Sequence, residues 1–286
     1  MSLWDRTKAL LDRRGLRFAF SVAATHLARS QGKGVNHVFY DSGVWIHDTT
    51  EGYFAYHRPF VRLDMIKMDR AAQRHFFWGY RPQPGDTIVD VGAGVGEEAL
   101  TFARAVGEQG KLICIEAHPR TYRCLEKMVQ YNGLRSVIPV HVAVGETISG
   151  SALIEDSAAY LRNRLNAGQG ISVPATTIDA IYRRLGLGRI QFLKMNIEGA
   201  ERIAIRGMTE TLSQTEVVCI SCHDFLAAPG RDDGLRTNGL VKEFCQDHGF
   251  NVIDRRDPGI PSYLRHQVWG YSNQFIKIQG VSQLVG

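Results

Sequence analysis

The chain has no apolar run near the roughly 18 residues that cross a bilayer, which excludes a helical membrane span. The stretch FAFSVAATHLA at 18–28 weakly imitates a secretory signal, but Ser21, Thr25 and His26 interrupt it and no small-residue cleavage site follows. Cysteine is sparse: five residues, an odd number scattered over 286, make no disulfide framework, so a reducing cytoplasm is expected. Cys219 and Cys222 spell CxxC inside the strand-like run EVVCISCHDF, where an odd spacing sends them to opposite faces. They read as structural thiols rather than a redox pair or half of a zinc site. Internal repeats and low-complexity tracts are also missing. What remains is ordinary for a soluble globular protein, with 44% hydrophobic and 22% charged residues.

The charge excess is local. Residues 1–35 hold seven Lys or Arg against Asp5 and Asp12, which accounts for the whole net charge of +5 and leaves 27 basic against 27 acidic residues elsewhere. Leu3, Trp4, Leu10, Leu11, Phe18 and Val22 give this arm an imperfect helical stripe. It is expected to pack on its own domain or on a second subunit of a homodimer, with anionic lipid or nucleic acid as the alternatives.

Beyond the arm, HVFYDSGVWIHDTTEGYFAYH (37–57) alternates apolar and polar residues across two turn signals, as short antiparallel strands do. Residues 61–79 have helical character, and RPQPGD breaks the chain. From there strand-like and helix-like segments alternate, starting with TIVDVGA and EEALTFARAV and ending with VVCISCH. Mostly apolar strands separated by helices predict an α/β fold, a Rossmann-like doubly wound and mostly parallel sheet. The organisation expected is an N-terminal helical arm with a small β extension over 1–80 and a cofactor-binding domain over 81–280. In such sheets ligands bind beyond the carboxyl ends of the strands.

The first of these strands ends in VDVGAGVGEEAL, with Asp90, Gly92, Gly94 and Gly96. A nicotinamide fingerprint wants a third small residue where Glu97 stands, and Glu97 with Glu98 would repel a pyrophosphate at the helix N-terminus. An acid followed by GxGxG instead suits a nucleoside with a cationic amino-acid end, as in S-adenosylmethionine, with Asp90 near its ammonium group. Glu116 ends the next strand, 22 residues after Gly94, where an acid can accept both ribose hydroxyls. Ala117, His118, Ala143 and Val144 would flank the adenine, and Glu98, opening the helix beside the glycines, is expected to bind the cofactor as well.

Three segments, PGDTIVDVGAGVG (84–96), VPATTIDAI (173–181) and IQFLKMNIEGAERIAIRG (190–207), resemble those of the FkbM-type methyltransferases. The likeness extends over roughly residues 82–280, and the third segment is the most specific. It implies a class I methyltransferase domain that moves a methyl group from S-adenosylmethionine to oxygen, often a sugar or polyketide hydroxyl. Two positions depart from the family pattern: Asn196 stands where Asp is usual, and Ser221 where Glu is common before x-His.

Methyl transfer from a sulfonium requires an aligned acceptor oxygen and a group that removes its proton. Asn196 ends one strand, and His223 and Asp224 follow the next. His223 is the first candidate for general base, because an unperturbed imidazole titrates near 6.5; Glu198 is the second, or the carboxylate that orients the imidazole. Asn196, Glu198 and Asp224 together offer oxygen ligands to magnesium. Lys194 is expected to anchor the cluster through a carboxylate, and Glu201 to brace the following helix. For the acceptor, 157–173 contributes Arg162, Asn163 and Arg164, while 257–275 contributes Tyr263, His266, Trp269 and Tyr271. A small-molecule or oligosaccharide hydroxyl suits these groups, and nucleic acid is not the expected partner. An RNA-modifying methyltransferase and a catalytically inactive cofactor-binding protein are the alternatives.

Overall fold

The computed structural model describes residues 13–32, 34–61, 63–148, 150–156, 170–227, 235–255 and 259–279. The chain begins with helix α1 (Arg14–Ser30) and a meander of β1 (Val35–Asp41), β2 (Val44–Thr49) and β3 (Gly52–Tyr56), followed by α2 (Met65–Phe76). The alternating region then runs β4 (Thr87–Val91), α3 (Ala99–Val106), β5 (Lys111–Glu116), α4 (Pro119–Tyr131), β6 (Val137–His141), β7 (Ala143–Val144), β8 (Gly150–Ile154), β9 (Ile171–Thr176), α5 (Ile178–Arg184) and β10 (Ile190–Met195). It continues through α6 (Glu201–Ala204), α7 (Thr209–Ser213), β11 (Thr215–Ser221), α8 (Asn238–Asp247), β12 (Phe250–Asp254), α9 (Ser262–Arg265), β13 (Gln267–Ser272) and α10 (Asn273–Gln279).

Seven strands form the central sheet in the order β12-β13-β11-β10-β4-β5-β6. The five from β11 to β6 are parallel, and β13 and β12 extend the sheet in antiparallel fashion. Successive residues of each strand point to opposite faces. Val89, Val91, Ile113, Ile115, Leu193 and Met195 enter one core, and Ile88, Leu112, Cys114 and Phe192 enter the other. Both faces are covered, which explains the near-continuous apolar sequences of β4, β5 and β11. Cys219 and Cys222 fall in different cores, and burial raises the pKa of both thiols. The chain leaves β4 toward β5 on one side and meets β10 on the other, so the sheet's order switches between β4 and β10, where a ligand crevice is expected to open.

The run VIPVHVAV, which reads as one strand, is divided at Val142. Residues 137–141 close the edge of the central sheet, while Ala143 and Val144 turn away to pair with β9. With β8 they make a second small sheet, in the order β7-β9-β8. Its strands come from a region with no clear sequence signal: β9 is ISVPAT, with buried Val173 and Ala175 alternating with exposed Ser172 and Pro174. The three-stranded N-terminal meander encloses a third core with Phe20, Ala24, Trp45, Ile46 and Cys124. No helix among the described residues is long and apolar enough to cross a membrane.

Candidate active site

The carboxyl ends of β4, β5 and β10 surround an open cleft, lined on the polar side by Gly92, Gly94, Glu116, His118, Asn196 and Glu198. Its apolar wall includes Ile115, Ala117, Val142, Val144 and Ile154. An apolar wall with a few convergent polar groups is the lining typical of small-molecule and cofactor sites.

The loop after β4 has to pass very close to the loop after β10. At Gly92, whose φ is +79°, a Cβ would lie 2.1 Å from the carbonyl oxygen of Asn196. Only glycine fits there. The Gly94 amide donates to Glu116 Oε2 (3.0 Å), and the His118 amide donates to Glu116 Oε1 (2.8 Å), so one carboxylate ties the ends of β4 and β5 together. Burial pushes Glu116 up to about 7 against the pull of these two amides. His118 is itself buried, 3.4 Å from Thr121 Oγ1 and 3.4 Å from Asp156.

Beneath the glycine loop, Lys194 Nζ meets Asp90 Oδ1 at 2.7 Å and donates to the carbonyl of Gly92 at 3.1 Å. Both residues are almost wholly buried. Burial alone would lower the Lys194 pKa, but the neighbouring charges of Asp90 and Glu98 outweigh it and hold the ammonium protonated. Asp90, expected from sequence near a cofactor ammonium, pairs with Lys194 and sits directly behind the cleft residues Val91 and Gly92. Glu98 and Gly96 also lie outside the lining. Glu98 is the N-cap residue of α3, and a Cβ at Gly96 would meet Met128 Cε at 2.4 Å, so that glycine serves helix packing. Along β7 the side chains alternate: Val142 and Val144 face the cleft, while Ala143 packs with Ile154, Val173 and Ala175.

After β10 the backbone is unusual. Glu198 has φ +55°, a left-handed conformation rare outside glycine, asparagine and aspartate, followed by Gly199 at +98°. The fully buried Glu201 supports this turn: its Oε1 accepts from the amides of Ile197 (3.2 Å) and Gly199 (3.3 Å). The same oxygen lies 2.9 Å from His223 Nδ1, while His223 Nε2 lies 3.5 Å from Glu198 Oε1. Glu201, His223 and Glu198 form a line from the core to the cleft. Burial alone would lower the pKa of His223, but the hydrogen bonds and charges of Glu198 and Glu201 prevail and raise it to about 9. The residue that fixes the imidazole is therefore Glu201, expected from sequence only to brace its helix. Its spacing from Glu198 shows nothing of this, because the contact with His223 spans 22 residues.

Asp224 departs from the expected cluster. Its Oδ2 accepts from the amides of Thr237 and Asn238, each at 3.0 Å, and so caps the start of α8. With Asp224 engaged as a helix cap, the oxygen ligands left for magnesium are one carboxylate, Glu198, and one amide, Asn196. The residues present do not fit that ion, and no group of three or more His, Cys, Asp or Glu suited to a metal occurs among the described residues. Trp269 and Tyr271 are core residues of β13, with Tyr271 Oη donating to the carbonyl of Gly79 (2.9 Å). Arg162, Asn163 and Arg164 lie outside the described residues. Tyr263 and Phe225 are each 41% exposed, and the Phe225 ring sits 5.7 Å from His223 and 5.9 Å from His266, leaving an aromatic surface beside the catalytic candidates.

The nucleoside features of the cleft fit S-adenosylmethionine: a carboxylate at the second strand end, backbone amides at the first and an apolar wall of Val142 and Val144. Among curated relatives, the 2-O-methyltransferase NoeI of Sinorhizobium fredii is 27% identical over 153 residues, 48% of this chain and 63% of the relative. Protein-L-isoaspartate O-methyltransferase of Aeropyrum pernix is 33% identical over 86 residues, 30% of this chain and 31% of the relative. The chain thus spans less than two thirds of either relative's length. Among solved structures, methyltransferase FkbM from Methylobacillus flagellatus superposes with a TM-score of 0.49 at 16% identity, covering 70% of this chain and 47% of that one. Aeropyrum pernix fibrillarin with bound S-adenosylmethionine gives 0.43 at 15% identity over 83% and 98%. The pattern of the methyltransferase FkbM domain matches residues 90–252, more than half of the sequence, and the chain belongs to that family of S-adenosylmethionine-dependent methyltransferases.

Proposed function

We infer that the protein is an O-methyltransferase acting on a hydroxyl of a saccharide or glycosylated metabolite. The observation that carries this reading is the line Glu201–His223–Glu198, which ends in the cleft next to Asn196. S-adenosylmethionine supplies an electrophilic methyl group on a sulfonium. Glu116 would accept the ribose hydroxyls, Ala117, Val142 and Val144 would enclose the adenine, and the loop at Gly92 and Gly94 would border the amino-acid end. Asn196 and Glu198 would then face the acceptor.

Glu198, the member of the line that reaches the cleft, takes the hydroxyl proton as the oxygen attacks and hands it to Nε2 of neutral His223. Glu201 holds Nδ1 as the donor, so Nε2 is the nitrogen free to receive it. A proton already on His223 blocks this route, and below about pH 9 the active fraction falls with acidity. Oxygen as the acceptor atom is supported by the names of the two relatives, both O-methyltransferases. A sugar is supported by the exposed aromatic surface of Phe225 with His266, because apolar sugar faces stack on such rings. A cytoplasmic setting is part of the same proposal, supported by five free, buried cysteines.

The test is calorimetric titration with S-adenosylhomocysteine, followed by radiolabelled methyl transfer to a panel of mannose- and glucose-containing oligosaccharides. Binding that Glu116→Ala weakens at least tenfold, with transfer that Glu198→Gln lowers on the order of 10²-fold or more, is the expected result. Absence of binding removes the cofactor assignment. Binding with transfer only to non-sugar acceptors removes the saccharide assignment alone.

A further inference from the structure

Helix α1 buries only one of its faces. Phe20, Ala24 and Ala28 pack into the N-terminal core, and Ser21 and Thr25 hydrogen-bond to the backbone of Val38 in β1. On its exposed side Phe18 is 79% and Val22 53% exposed, and Ala19 and Ala23 are exposed too, while Leu27, 46% exposed, stands half a turn round the helix from Phe18. Arg13 and Arg14 stand exposed at the start of the helix and Arg29 in its last turn. Arg14, Phe18 and Val22 follow one another at single-turn intervals, which puts a cation and two apolar groups along one line. From residue 13 to residue 40 the sequence contains no acid.

We propose that the outer face of α1 docks on an anionic lipid surface, with Phe18 and Val22 entering the headgroup boundary and Arg13 and Arg14 meeting lipid phosphates. A helix of 17 residues spans about 25 Å, less than the bilayer core, and its other face is already in use, so it lies along the surface. Two other occupants fit worse. A second copy paired through this face would bring two acid-free basic stripes together, with nothing to neutralise them. A nucleic acid would neutralise the arginines but leave Phe18 and Val22 against phosphates.

The experiment is sedimentation of the full chain with phosphatidylcholine vesicles, with and without roughly a quarter of phosphatidylglycerol. Pelleting with the anionic vesicles alone is expected, weakened about tenfold or more by Phe18→Ser with Val22→Ser and by Arg13→Glu with Arg14→Glu. Each variant should keep the wild-type melting temperature, because these side chains are exposed. Four outcomes overturn the proposal: equal pelleting with neutral vesicles, no pelleting, pelleting that survives both double substitutions, or binding that appears only after residues 1–11 are removed. A dimer that the Phe18 and Val22 changes dissociate, or RNA binding without vesicle binding, overturns it too. Neither readout depends on the acceptor or on catalysis, so the proposal stands or falls apart from the enzymatic one.

Discussion

Lys194 and Asp90 show how strongly a buried pair constrains its own replacement. Removing one partner of such a pair strands the other charge, at a cost of about 3–5 kcal/mol. Lys194→Met should therefore lower denaturant stability by roughly that amount, and adding Asp90→Asn should restore part of it. A single substitution costing below about 1 kcal/mol would show that the pair behaves as a surface one. His223 allows a second prediction. Its folded pKa of about 9 exceeds the unfolded value of 6.5, so the folded state holds the proton more tightly. The stabilisation is complete below about pH 6.5 and is lost as pH rises through 9. Wild-type stability should decline across that window, and His223→Gln should flatten the decline in urea melts at several pH values. His223 itself was legible in sequence as a candidate base, because it follows a strand end. Its charge state was not, since that is set by Glu198 and Glu201 converging on it from another loop.

At the scale of elements, most strands of the central sheet were legible because β4, β5, β10 and β11 are apolar on both faces and sit between amphipathic helices. The small sheet of β7, β8 and β9 was not. It depends on the chain leaving the sheet at Val142, a tertiary choice with no local signature, and on strands of only five and six residues. The N-terminal meander was visible from its turn signals, but its attachment was not. Asn132 makes that attachment: its Oδ1 accepts from the Tyr53 amide at 2.9 Å, and its Nδ2 donates to the Tyr53 carbonyl at 2.7 Å. Asn132→Ala leaves both backbone groups of Tyr53 without these partners, and each such loss costs about 1–3 kcal/mol when buried. Hydrogen exchange should speed up across residues 52–56 while β4 to β6 keep their protection. Equal acceleration in both regions would mean that the meander and the central sheet open together.

For the molecule as a whole, the cleft lies where the sheet's strand order switches, so cofactor binding ties β4, β5 and β10 into one unit. A ligand that binds only the folded state at 100 times its Kd adds about 2.7 kcal/mol, which for a domain of this size corresponds to roughly 5–10 °C in melting temperature. S-adenosylhomocysteine should produce a shift of that order. Glu116 makes the shift depend on pH in a definite direction. Its carboxyl is pushed up to about 7 in the free protein, so between about 4.5 and 7 the folded state binds a proton that the unfolded chain has already released. Apo stability from this group therefore falls as pH rises through the window. An ionised carboxylate accepts hydroxyl hydrogen bonds more strongly than the neutral acid, so, with Glu116 as the proposed ribose acceptor, the ligand binds the deprotonated form more tightly and its stabilising effect grows as pH passes 7. Thermal melts at pH 6 and pH 8 with saturating ligand should show the larger shift at the higher value. Glu116→Gln should remove that difference, while His223→Gln, altered behind Glu198 and away from the cleft wall, should keep it. Equal shifts at both pH values in the wild type would sever Glu116 from the ribose and move the nucleoside elsewhere in the cleft.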